Sequence, residues 1–160
     1  MSLDGSYDDA NVFAKIIRGE IPSVRIFEDD QVLAFMDAFP QSRGHCLVIS
    51  KVSRARNLLD VEPEVLAGMA LAVQRLARAV RTALSPDGIV VTQFNGAPAG
   101  QTVFHLHIHV IPRWDGQALG RHGGGMADME DLKACAEAIR NALDCSASSA
   151  SVATTRPAQR

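Results

Sequence analysis

Apolar and polar positions follow two rhythms along the chain, and the switches between them mark its elements. From Asn11, the apolar residues Val12, Phe13, Ile16 and Ile17 recur at helical spacing and stop at Gly19, with Pro22 just beyond, which predicts one short helix. Two strand-like runs follow, Val24 to Glu28 and Val32 to Asp37. The polar break Asp29-Asp30-Gln31 between them predicts a hairpin. A turn from Phe39 to Gly44 feeds a third strand, His45 to Lys51. After Pro63 the residues Val65, Leu66, Met69, Ala72, Val73, Leu76, Val80, Ala83 and Leu84 form one apolar stripe, the mark of a long helix laid on a sheet. Ser85-Pro86-Asp87-Gly88 ends it, Ile89 to Asn95 reads as a fourth strand and Phe104 to Arg113 as a fifth. Asp128 is placed to cap a last helix with Met129, Leu132, Ala136, Ile139 and Leu143 on one side. Strands interrupted by one long helix predict an α+β fold, with an antiparallel sheet of about five strands and one long and one or two shorter helices.

Composition narrows the classes. A chain of 160 residues that is 47% hydrophobic makes one domain with a full core. Its formal net charge of −2, with no polybasic face, excludes a nucleic-acid-coating surface. Arg75, Arg78 and Arg81 lie off the long helix's apolar stripe and read as solvated charge. No apolar run is long enough to span a membrane, and no basic-then-apolar leader opens the chain. Cys46, Cys135 and Cys145 lack metal-ligand spacing and read as reduced thiols of a cytoplasmic protein. Residues 1–10 are small and acidic, which predicts a flexible N-terminus, and the domain is expected to span 11–145. Residues 146–160, rich in Ser, Ala and Thr without apolar periodicity, are expected to be disordered. The Gly-rich loop 115–127, which carries His122, is long enough to have a function but does not define one.

The chemistry concentrates in Phe104-His105-Leu106-His107-Ile108-His109-Val110. On a strand His105, His107 and His109 share one face, while Leu106, Ile108 and Val110 line the other. A metal is one use for such a row. At about 3.3 Å per residue the outer two Cα atoms stand about 13 Å apart, too far for all three rings to share one ion comfortably, and no metal is expected. The other use is acid–base and nucleophilic work on a phosphate, with the central His107 the natural attacker. The preceding loop, Asn95 to Thr102, supplies amides and a hydroxyl that donate without adding charge.

These residues resemble the histidine-triad (HIT) family of nucleotide hydrolases and transferases. His105 to Ile111 fits its His-apolar-His-apolar-His-apolar-apolar signature. Phe13 to Pro22, Leu33 to Asp37, Gly44 to Lys51 and Asn95 to Gln101 are similar to further family motifs in family order, so the likeness covers about residues 11–113. The nearest branch resembles bacterial Hint-type nucleoside phosphoramidases. The resemblance implies attack on the α-phosphorus of a nucleoside 5′-monophosphate derivative, with His107 forming a covalent nucleotidyl-histidine. In that scheme His109 and His45 hold the phosphate, and His105 helps to fix the His107 tautomer. Phe13 and Ile16 wall the base, Asp37 accepts from the ribose hydroxyls, Asn95 lies near the leaving group, and Gln101 and Thr102 contact phosphate oxygens. A purine nucleotide substrate (AMP or GMP derivatives) and a homodimer formed by joining two sheets are further expectations, with no nucleic-acid or membrane partner. Many members carry a structural zinc on two cysteines, but Asn11 and Ala14 occupy the aligned positions, so no cofactor is expected. Three alternatives stand beside this reading: a dinucleoside polyphosphate hydrolase, a weakly catalytic purine nucleotide-binding protein and a metal-binding protein.

Overall fold

The computed structural model describes residues 3–121 and 124–151, with side chains to 145. His122, Gly123 and the tail from 152 to 160 lie outside the described residues. The element order is α1 (Val12–Ile17), β1 (Arg25–Glu28), β2 (Val32–Met36), β3 (Cys46–Ser50), α2 (Pro63–Leu84), β4 (Gly88–Thr92), a 3-10 turn (Ala97–Ala99), β5 (His107–Arg113) and α3 (Met129–Ser151). All five strands join one antiparallel sheet in the order β1-β2-β3-β5-β4.

Both faces of the three central strands are buried, which is why β2 and β3 are apolar throughout rather than alternating with charge. Ala34 and Met36 of β2, Cys46 and Val48 of β3, and Ile108 and Val110 of β5 face a core closed by α2 and α3, where Leu76, Val80, Ala136 and Ile139 pack. The opposite face carries a smaller cluster: Leu33, Phe35, Leu47 and Ile49 against Phe13 and Ile16 of α1. Register then decides where the histidines point. Leu47 pairs with His109 and Ile49 with His107, so both rings stand on the smaller cluster's face.

Local chemistry sets the element ends. The Asn11 carboxamide caps α1 by accepting from the amides of Phe13 and Ala14 at 3.0 and 2.9 Å. Asp29 closes the β1–β2 hairpin by accepting from the amides of Gln31 and Val32. Pro63 opens α2, and Ser85 ends it in the left-handed region at φ 48°. Asp128 caps α3 through the amides of Glu130 and Asp131, as its spacing predicted.

Three expectations change. α3 runs 23 residues to Ser151, as long as α2, and so takes in the first residues of the segment read as tail. The strand of histidines begins at His107, leaving His105 outside the ladder. The N-terminal segment from Leu3 to Asp9, expected to be flexible, packs on the loop after β3: the Leu3 carbonyl accepts from Asn57 Nδ2 at 2.9 Å, and Asp9 pairs with Arg54 at 2.9 Å. Among the described residues no helix is long and apolar enough to cross a membrane.

Candidate active site

A cavity of about 460 Å³ opens on the sheet face that carries α1. That volume lies in the range that takes small-molecule ligands. Phe13, Ile16, Phe35 and Leu47 form its apolar wall, and Asp37, Thr102, His107 and His109 bring polar groups to it. Phe39, Met126 and Met129 extend the apolar rim.

His107 sits edge-on to Phe13, with ring centroids 4.9 Å apart, and its Nδ1 lies 2.7 Å from the main-chain oxygen of His105. A carbonyl oxygen only accepts, so Nδ1 carries the proton and the neutral ring keeps its lone pair on Nε2. The direct contact that holds this tautomer is with the His105 main chain.

The His105 ring is committed elsewhere. Its Nε2 donates to the Ser50 carbonyl at 3.0 Å, and its Nδ1 accepts from the Tyr7 hydroxyl at 2.5 Å. Burial lowers its pKa from the ordinary 6.5 to about 4, outweighing the Ser50 bond that favours the charged form, and His107 adds repulsion. His105 is neutral at physiological pH.

A second pair lies beside the first. His45 Nε2 and His109 Nδ1 are 2.9 Å apart in the buried interior. The Gln41 amide donates to His45 Nδ1 at 3.1 Å, and the Asp37 carboxylate stands 3.5 Å from the same atom. With Nδ1 accepting from Gln41, the proton of the His45 ring lies on Nε2, and His109 Nδ1 accepts it. That leaves the proton of a neutral His109 on Nε2.

The other candidates separate into wall and support. Asp37 reaches the cavity, with Oδ1 accepting from the Phe39 amide at 2.8 Å. Gln101 is buried: its oxygen accepts from the Gly96 amide at 2.8 Å, and its Nε2 donates to the carbonyls of Arg56 and Val103. Its two donors are engaged within the protein, and Thr102 is the neighbour that lines the cavity. Asn95 Oδ1 accepts from the Leu58 amide at 2.9 Å, tying the same loop to the chain after β3. Tyr7 and Phe94, whose ring meets His109 at 5.5 Å, went unread in the sequence. The one signal for Tyr7 was an aromatic residue amid small acidic ones, and it is the chain's only tyrosine.

The residues aligned with the family's zinc cysteines do not fit a metal: the Asn11 carboxamide is used as a helix cap and Ala14 is buried without a donor atom. Among the described residues, Asp37, His45 and His109 present ligand atoms within 4.8 Å of one another.

The HIT domain family model matches residues 18–116. The protein hit of Bacillus subtilis is 43% identical over 103 residues, 64% of this chain and 70% of that protein. The adenylylsulfatase HINT3 of Arabidopsis thaliana is 41% identical over 117 residues, 69% of this chain and 59% of that protein. The crystal structure of a Hit-like protein involved in cell-cycle regulation from Bartonella henselae superposes with a TM-score of 0.79 at 51% identity, covering 86% of this chain and 99% of that one. The chain belongs to the histidine-triad family, whose members are nucleotide-binding proteins of hydrolase type.

Proposed function

We propose that the protein hydrolyses a nucleoside 5′-monophosphate derivative, a phosphoramidate or a related compound, at the α-phosphorus through a nucleotidyl-His107 intermediate. The observation that carries this reading is the 2.7 Å bond from His107 Nδ1 to the His105 carbonyl, which puts the lone pair on Nε2 of a ring that lines the cavity. A purine stacks between Phe13, Ile16, Phe35 and Leu47, and Asp37 accepts from the ribose hydroxyls. His107 Nε2 forms a bond to phosphorus as the P–N or P–O bond to the leaving group breaks. The departing atom takes the His109 Nε2 proton, and His45 Nε2–H holds the other side of that ring. Water then attacks phosphorus and passes a proton back to His109 Nε2 as the His107 bond breaks, and the nucleoside monophosphate leaves. Two in-line displacements retain configuration at phosphorus.

Two further parts of the proposal concern setting. β4 ends the sheet with its outer edge unpaired among the described residues, and Val90 and Val91 are exposed on it. An apolar edge strand of this kind favours pairing with a second copy, which supports a homodimer. Three free cysteines, two of them buried, are consistent with a cytoplasmic protein.

The test is to trap the intermediate on adenosine 5′-phosphoramidate labelled at phosphorus and to map the modified residue. Label on His107, with turnover abolished and AMP binding retained in His107→Ala, supports the reading; turnover by His107→Ala equal to wild type overturns it. Parallel kinetics on a diadenosine polyphosphate decide the substrate class, and the absence of a leaving-group burst would instead mark a nucleotide-binding protein.

A further inference from the structure

The N-terminal segment is anchored on both sides of one contact with the site. Leu3 is held by Asn57 and Asp9 by Arg54, and between them the Tyr7 hydroxyl donates to His105 Nδ1 at 2.5 Å. Tyr7 is not among the described residues that line the cavity. Burial raises the pKa of its phenol, which keeps the donor protonated.

The ring it meets has one orientation that satisfies both neighbours. Ser50 offers only a carbonyl, so His105 Nε2 must donate and Nδ1 must accept, and Tyr7 supplies the proton for it. Turning the ring over would put C–H groups against the phenol and the carbonyl. Residue 105 precedes the first ladder pair of β5, Ile49 with His107, so no strand pairing holds its main chain. Its peptide plane is tied at the Leu106 amide, which donates to the Ala55 carbonyl at 2.9 Å. The other hold on the residue is the ring.

We propose that Tyr7 is a positioning residue for the nucleophile: by pinning the His105 ring it keeps the His105 carbonyl on His107 Nδ1. The proposal rests on the reading of His107 as the attacking group. Tyr7 thereby supports the reacting ring at a remove of two hydrogen bonds, whereas the exposed Asp9–Arg54 pair is dispensable, because Asn57 still holds the segment at Leu3. Without the phenolic O–H, the His105 ring gains a second orientation and its peptide plane, left to the Leu106–Ala55 bond, holds the carbonyl less tightly, so His107 spends part of its time with the proton on Nε2, where it cannot attack.

The test compares Tyr7→Phe with Arg54→Gln, which cuts the exposed ion pair on the same segment. For Tyr7→Phe the expected result is a kcat on adenosine 5′-phosphoramidate about tenfold lower with KM within about twofold, and a reduced Nδ1–H population of His107 in long-range ¹H–¹⁵N spectra. Arg54→Gln keeps kcat within about twofold. Because the chain has one tyrosine, fluorotyrosine incorporation alters this phenol alone and keeps the fold; the alkaline limb of kcat then moves to lower pH with the more acidic phenol. The proposal is overturned by wild-type kcat in Tyr7→Phe, by an unchanged His107 tautomer, by an equal loss in Arg54→Gln or by an unmoved alkaline limb. The tautomer measurement needs no turnover, so it separates a failure of this proposal from a failure of His107 as nucleophile, which His107→Ala reports.

Discussion

His45, just before β3, and His109, within β5, are 64 residues apart in the chain, yet their rings share a 2.9 Å hydrogen bond in the protein interior. The bond fixes which nitrogen of a neutral His109 carries the proton that the proposed mechanism gives to the departing group. His45→Ala removes that constraint while leaving His107 in place. The expected outcome is a kcat about 10- to 100-fold lower with KM little changed. The loss should shrink as the leaving group becomes more acidic, because such a group departs without a proton. A series of phosphoramidates and aryl esters of AMP measures this dependence, and an equal loss across the series would remove His45 from leaving-group protonation.

Asp37 carries a prediction about the sugar. If its carboxylate accepts from the ribose hydroxyls, Asp37→Asn raises KM for the ribonucleotide substrate about tenfold. The same substitution should change KM for the 2′-deoxy substrate far less. A double-mutant cycle of protein and substrate isolates the contact.

His105 makes stability depend on pH. Its folded pKa of about 4 lies below the ordinary 6.5, so the unfolded chain binds a proton that the native ring does not take until more acid pH. Stability contributed by the neutral ring is therefore full above about 6.5 and is lost as pH falls toward 4, by roughly 3 kcal/mol across that window. Urea unfolding at pH 7.5 and pH 5 checks the slope. His105→Gln should flatten it by about one proton.

β4 carries the prediction about assembly. Val91 is half exposed on the edge strand, and Val91→Lys places a charge where a second sheet would pair. The expected result by light scattering is a wild-type dimer and a monomeric variant. A monomeric wild type would remove the joined-sheet assembly.

The order of the elements was legible before any coordinates, because helix and strand stripes differ in period and each stripe ends at a recognisable turn. The pairing of His107 with His109 on one face followed from strand alternation, and the Asp128 cap and the Asn11 to Gly19 helix from local hydrogen-bonding chemistry. His105 was read into the same row because alternation continues through its position. What takes it out is a long-range fact: Ser50 and Tyr7 claim its two nitrogens, and the strand ladder begins two residues later. Gln101 shows the same limit, since an amide in a polar loop looks like a ligand contact until Gly96, Arg56 and Val103 are seen to occupy it.

By itself, the sequence determined the α+β class, the sheet-forming segments and the presence of an imidazole row, all of which depend on residues near one another in the chain. Only the tertiary structure decided which nitrogen of the His105 and His109 rings holds its proton, what the Gln101 amide bonds to, and that Tyr7 reaches the site. Those outcomes depend on hydrogen-bond partners 45 to 98 residues away, whose positions are set by packing on the sheet and leave no mark in local spacing.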